Sequence, residues 1–504
     1  MSEKGDGVQE PDPNPRPIDH ILLAAARGGP GPALVLGERE IGYDALDRLV
    51  GQLACWLVEQ GVAPGDRVAS WLPKGLWTCL LPLAAPRAGA VHVPVNPLLK
   101  RAQVAHILAD SGAVLLLTGA GRADSLMPGD VPPGCRMMLD GDVALPERAL
   151  GPSAADPQAL AAILYTSGST GRPKGVMLSH ANLWLGAVAV AHYLRLAADD
   201  RTLAVLPLAF DYGQNQLFST WLAGGTVVPL DYLTPRDVLR AVGRHRITTL
   251  AGVPPLWVQL VEGDWSETAT LRRLTNSGGA LTEPLVRRLR TLAPQADLYA
   301  MYGLTEAFRS TYLDPRLIDE HPTAIGGPIP FAELHVLRPD GLPAGPGEPG
   351  ELVHAGPLVA AGYWRDPERT AQRFRPLAGG AGLAVWSGDT VVRGPDGLLR
   401  FVGRADEMIK SAGNRISPTE IEEAAVASGT TNEAVALGIA DDRLGQAVLL
   451  VAAGDGGDEA ALRAHLKREL PGFMQPARIV WRAALPRTPN GKLDRAGLKA
   501  ELAP

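Results

Sequence analysis

Three cysteines in 504 residues, Cys55, Cys79 and Cys135, are few, widely spaced and odd in number. They argue against a disulfide framework and against a zinc site, and a reducing cytoplasm fits them. No apolar run is long enough to cross a bilayer; stretches such as 183–194 are interrupted too early. No solenoid-type repeat recurs, and no G-x-S-x-G elbow of a serine hydrolase is present. Neither sign of charge dominates: 48 Lys and Arg against 54 Asp and Glu leave a net charge of −6. That excludes a global attraction to nucleic acid or anionic membrane, so any phosphate binding must come from a local site. Residues 2–17 are polar and proline-rich, without the apolar stretch of a signal peptide, and read as a disordered tail.

What is present is an ordinary globular composition, 46% hydrophobic and 20% charged, long enough for two or three domains. Short apolar strands alternate with helical patterns through the first four hundred residues. RVASWLP (67–73), AVHVPVNP (90–97), AVLLLTG (113–119) and RTLAVLPL (201–208) read as buried strands, and LVGQLACWLVEQG (49–61) as a helix ended by Gly61. The alternation predicts α/β layers with mainly parallel sheet. From about residue 325, short strands and Gly/Pro turns predict a β-rich subdomain that completes the large one. Near 403–407 the pattern changes again. A helix opens at 416–428, with Ser417 as cap and Glu420 three residues on; strands at 433–440 and 447–454 and a helix at 458–470 follow. The expected organisation is a tail at 1–17, a large α/β domain at 18–404 and a small α+β domain at 405–504.

The most informative stretch is AILYTSGSTGRPKGVMLSH (162–180). An apolar strand runs into Thr166, Ser167, Gly168, Ser169, Thr170 and Gly171, and Lys174 follows Pro173. The glycines permit close backbone approach, while four hydroxyls and free backbone N–H groups can surround phosphate oxygens. A Walker loop needs Gly directly before the lysine and Ser or Thr directly after, which is not the pattern here. The string closely resembles the signature of AMP-forming adenylating enzymes: acyl-CoA synthetases, peptide-synthetase adenylation domains and beetle luciferases. The likeness covers roughly residues 18–500.

That resemblance implies a large N-terminal domain of stacked mixed sheets, a small mobile C-terminal domain, ATP and Mg²⁺ as cofactors, and roles for further motifs. MYGLTEA (301–307) resembles the second core motif: Glu306 as Mg²⁺ ligand, Thr305 on the adenylate phosphate, Tyr302 and Gly303 at the adenine. NSGGALTE (276–283) resembles the segment along the purine, with Gly278, Gly279 and Ala280. WSGDT (386–390) resembles the ribose motif, with Asp389 accepting from both hydroxyls. In GRADEMIKSAGNRISPTEIEE (403–423), Arg404 matches a ribose- or phosphate-binding position and Asp406 the hinge; Lys410 departs from the aliphatic residue common in acyl-CoA synthetases. Family members use one domain orientation for adenylation and another for thioester formation, in which the SAGNR loop would enter the site. PRTPNGKLDR (486–495) resembles the motif whose lysine, here Lys492, neutralises charge between the attacking carboxylate and the α-phosphate. Lys174 joins it.

For the acid itself, LPLAFDYGQNQL (206–217) supplies Phe210, Asp211 and Gln214 to the expected acyl pocket. Phe210-Asp211 resembles amino-acid adenylation domains, where the aspartate pairs with the substrate's ammonium. Equally open from the residues is that Asp211 caps a helix or pairs with a protein cation such as Arg309. The acceptor is expected to be a phosphopantetheine thiol, of CoA or of a separate carrier protein, since no carrier signature follows Lys492. The closest likeness is to bacterial acyl-CoA ligases of the exosortase-associated type. A fatty or aryl acyl-CoA synthetase without amine recognition is the alternative. A luciferase-like oxygenase, or a non-catalytic nucleotide-binding homologue, is the rival of another class.

Overall fold

The computed structural model describes residues 10–502 except 26–30, 167–172, 280, 282, 378–381, 405–408, 412, 417, 432, 455–456 and 487–494, and only the backbone of Ala25, Pro255, Gly403, Arg404, Arg415, Thr419 and Ala496. Three sheets organise these residues. The largest has fourteen strands and two characters. Leu34–Leu36, Thr226–Pro229, Arg201–Ala204, Thr249–Gly252, Arg273–Asn276 and Asp297–Gly303 lie parallel, side by side. They are buried, β-branched and aliphatic, as a parallel sheet covered on both faces requires. Beyond Asp297–Gly303 the pairing turns antiparallel, first to Arg309–Tyr312 and Ala324–Pro328, then to Leu399–Arg404, Leu383–Arg393, Pro349–Ala355 and Glu333–Leu337. The β-rich region expected from residue 325 is therefore the antiparallel end of the main sheet. MYGLTEA sits where the sheet changes sense.

The second sheet holds Arg136–Leu139, Leu115–Thr118, Arg67–Trp71, Val91–Pro94, Leu160–Thr166 and Lys174–Ser179. Its last two strands form an antiparallel hairpin that sets Thr166 opposite Lys174. The phosphate loop thus joins the tips of a hairpin anchored in the core. Helix Tyr43–Glu59 buries one stripe, whereas His180–Tyr193 and Asp211–Leu222 are buried nearly all round. In Tyr43–Glu59 that stripe is Leu46, Val50, Leu53, Ala54 and Leu57, at helical spacing. Gly61, with φ of 81°, ends the turn that follows. One apolar cluster, including Trp221, Trp257 and Phe308, runs through both sheets.

The third sheet belongs to the C-terminal part. Ala434–Asp441 and Gly445–Ala453 pair antiparallel, Arg478–Arg482 adds in parallel, and Ile409–Ser411 with Asn414–Ile416 completes it. Helices Pro418–Ala427 and Glu459–Glu469 cover it around Ile421, Leu450, Leu462 and Leu466. Asp458 caps the second helix, accepting from the Ala461 N–H at 2.9 Å. Ser417, expected to cap the first, lies outside the described residues. All three cysteines are buried and free. Among the described residues no helix is long and apolar enough to cross a membrane.

Candidate active site

A cavity of about 450 Å³ opens where the phosphate hairpin, the turn Thr305–Ala307, the start of helix Asp211–Leu222 and the C-terminal sheet converge. A second cavity, of about 290 Å³, is lined by Pro207, Leu208 and Ala209 of the 206–217 segment but by none of the predicted site residues. Its buried Lys74 is already satisfied by Asp231 at 3.0 Å and by two carbonyls.

One wall of the larger cavity is ionic. Lys174 Nζ donates to Glu306 Oε1 at 3.0 Å and to the Tyr363 hydroxyl at 2.7 Å, and that hydroxyl donates to the same Glu306 oxygen at 2.7 Å. Glu306 is only 3% exposed, so its charge depends on these partners. Beside them Thr166 Oγ1 is buried with no hydrogen-bond partner among the described residues, a donor placed for an incoming oxygen. Such a wall suits a polyphosphate that carries its own cation. Mg²⁺ is held by one or two carboxylates plus substrate oxygens rather than by a protein cage, and no group of three or more potential ligands occurs among the described residues. Glu306 is the carboxylate on this wall.

A second wall is backbone. Gly278 lies at φ +79°, and a β-carbon there would meet Val253 at 3.6 Å and the Gly413 carbonyl at 3.8 Å. Gly303 lines the same cavity. One residue back, the Tyr302 hydroxyl donates to Asp389, and its ring stacks on His354 with centroids 6.0 Å apart. Burial holds the His354 imidazole down to about 3, so it is neutral at pH 7. Asp389 pairs across the sheet with Arg404. The structure thus gathers Tyr302, Asp389 and the Arg404 backbone beside Gly303. Gly279 follows Gly278, with its carbonyl accepting from Asn276.

The third wall carries Phe210 and Asp211, at the N-terminal end of their helix. Gly213 makes that start possible: a β-carbon there would lie 1.8 Å from the Pro207 carbonyl oxygen. Burial raises the Asp211 pKa, against the pull of the nearby Arg309 charge and of Thr305 Oγ1, which donates at 3.3 Å. Gln214 is buried one position beyond Gly213 and is not among the residues lining the cavity; both polar atoms of its amide lack partners among the described residues. Neither protein-internal reading of Asp211 holds as expected: it is the first residue of its helix, and the cap is Phe210, with no side-chain capping bond. No Arg309 nitrogen comes within the 4.0 Å of an ion pair.

The C-terminal part closes the fourth side. Gly413, at φ +76°, presses on Val253 so tightly that a β-carbon would sit 2.8 Å from its methyl group. Asn414, Glu420 and Met474 also line the cavity, and Gln103 of the large domain donates to Glu420. Ser167, Gly168, Ser169, Thr170, Gly171, Ala280, Asp406 and Lys492 lie outside the described residues. Tyr363 and the Gln103–Glu420 contact escaped the sequence reading: a lone tyrosine in GYW and a partner 317 positions away leave no periodic trace.

A family model described as AMP-binding enzyme matches residues 23–364, and one described as AMP-binding enzyme C-terminal domain matches 420–492. The chain is 35% identical to novobiocin biosynthesis protein H of Streptomyces niveus, over 93% of this chain and 79% of that protein. It is 34% identical to a feruloyl-CoA synthase of an Amycolatopsis species, over 91% and 93%. A linear gramicidin synthase polypeptide of Brevibacillus parabrevis is 33% identical over 93% of the chain, which spans only 9% of that protein. Among solved structures, the amide bond synthetase McbA of Marinactinospora thermotolerans superposes with a TM-score of 0.87 at 26% identity, over 96% of this chain and 100% of that one. A double mutant of o-succinylbenzoate CoA synthetase of Bacillus subtilis with a bound product analogue also reaches 0.87, at 26% identity over 97% and 99%. ATP-bound MatB of Rhodopseudomonas palustris, again at 26% and over 97% and 99%, reaches 0.72. The chain belongs to the family of AMP-binding enzymes.

Proposed function

We propose that this protein activates a carboxylic acid with ATP to its acyl-adenylate, releases pyrophosphate, and passes the acyl group to a phosphopantetheine thiol of CoA or of a carrier protein. The observation that carries the reading is the meeting of Lys174, Glu306 and the orphaned Thr166 hydroxyl at the tips of the phosphate hairpin. The carboxylate substrate is already ionised at pH 7, so no general base is needed. Catalysis is positioning and charge neutralisation. Thr166 and Lys174 hold phosphate oxygens, and Asp389, braced by Tyr302, holds ribose. Bound Mg²⁺, on Glu306, would supply further neutralisation of the phosphates. Lys492 approaches the α-phosphate when the small domain, 405–504, turns about Asp406 against the large domain, 18–404.

The arrangement described, with Gly413 seated on Val253 and Gly278, suits the second half-reaction, in which the glycine loop shapes the path of the thiol. For the acid, Asp211 favours a substrate whose ammonium faces it: a buried carboxylate without an ion pair is stabilised by such a partner. ATP–pyrophosphate exchange across amino, fatty and aryl acids tests the reading, with AMP as the expected nucleotide product. Lys492→Ala should slow exchange by about 10²–10³ with the fold intact. Exchange at the wild-type rate in that variant would refute the role of Lys492.

A further inference from the structure

Arg309 opens strand Arg309–Tyr312, straight after Phe308, whose φ of 56° turns the chain toward the cavity. Its side chain is among the largest fully buried in the protein, yet it lines the same cavity as Asp211. The guanidinium lies 4.3 Å over the Tyr212 ring and 5.9 Å over Phe308. Nη1 points at Met301 Sδ, 3.8 Å away, and Nη2 has no partner among the described residues. No carboxylate is within ion-pair distance of it among those residues. Aromatic faces offset only part of the cost of burying a cation. The side chains around it repeat the theme. Asn215 Nδ2 and Ser310 Oγ are buried and equally without partners among the described residues. An acyl pocket built for a hydrocarbon tail would not be walled by a buried guanidinium.

We propose that the acid activated here carries a second carboxylate, remote from the one that is adenylated, and that Arg309 binds it. The substrate class is a dicarboxylic acid or an acidic amino acid; in the latter, Asp211 takes the ammonium while Arg309 takes the distal carboxylate. Tyr212 and Phe308 fix the plane of the guanidinium, so that its paired N–H groups face one carboxylate side by side. This inference rests on the reading of the cavity as the acid site and specifies its substrate.

The test is ATP–pyrophosphate exchange on the full chain with pairs that differ only in the distal group: glutamate with glutamine, aspartate with asparagine, glutarate with its monoamide. The acidic member should be used at least about tenfold better in kcat/KM in one or more pairs. Arg309→Gln should raise the KM of that acid by about 30-fold or more, leave the KM for ATP unchanged and erase the preference. Arg309→Lys should restore part of it, and thermal unfolding of both variants separates lost binding from lost fold. Equal or better use of the neutral members overturns the proposal while leaving adenylation standing. So does an Arg309→Lys protein that folds and uses every acid equally poorly. No exchange with any acid would overturn the adenylation reading itself, and this proposal with it.

Discussion

Two oppositely charged pairs line one cavity and are built in opposite ways. Lys174 and Glu306 touch at 3.0 Å and share the Tyr363 hydroxyl. Asp211 and Arg309 are close enough to sense one another's charge, yet no ion pair forms. Asp211 leans on Thr305 and a helix N-terminus, and Arg309 on aromatic faces. The contrast teaches that burial alone does not define a charge's task. A contacting pair is stable while it waits, and its partners can be exchanged for phosphates and a cation. A separated pair keeps both members available to a ligand.

The comparison can be broken most sharply on the contacting side. Glu306→Gln keeps shape and removes charge, and should cut exchange by about 10²–10³ for every acid alike; a loss confined to some acids would erase the distinction between the two walls. On the separated side, Asp211→Asn should cost about 10–10² in kcat/KM for amine-bearing acids and little for acids without an amine. If fatty acids are preferred and the variant behaves as wild type, no ammonium faces Asp211.

A third buried charge sharpens the contrast, because its known partner across the interface is neutral. Burial lifts the Glu420 carboxyl from 4.5 to about 7, although the Gln103 amide opposes this. The folded protein therefore holds a proton that the unfolded chain releases between these values. The resulting stabilisation is full below pH 4.5 and is lost as pH rises through about 7. Denaturant titrations should show it as up to about 3 kcal/mol, and Glu420→Gln should flatten that part of the profile. An unchanged profile in the variant would mean that the group titrates normally in place.

Much of the fold was legible because local pattern and tertiary role agree. The strands at 67–73 and 113–119, the helix ended by Gly61 and the C-terminal strand pair occur where alternation and turn residues put them. The chemistry was legible where one chain segment carries several of its groups, as at Thr166–Lys174 and Thr305–Glu306. It was not legible where a group gains meaning from distant neighbours. The sequence offers Arg309 only as a possible partner of Asp211, and the enclosing Tyr212, Phe308 and Met301 reveal it as an enclosed cation. The merging of the β-rich region into the main sheet is likewise a matter of long-range pairing, which period-two alternation does not encode.

Helix Pro418–Ala427 links two contacts. Glu420 on it meets Gln103 across the cavity rim, while two residues on Glu422 grips Arg495 through two bonds of 2.6 Å. Arg495 follows Lys492 by three positions. One helix therefore carries both the contact at the cavity rim and the hold on the terminal helix Arg495–Leu502. Whatever displaces the first turn of that helix from Gln103 moves its anchor on Arg495 as well.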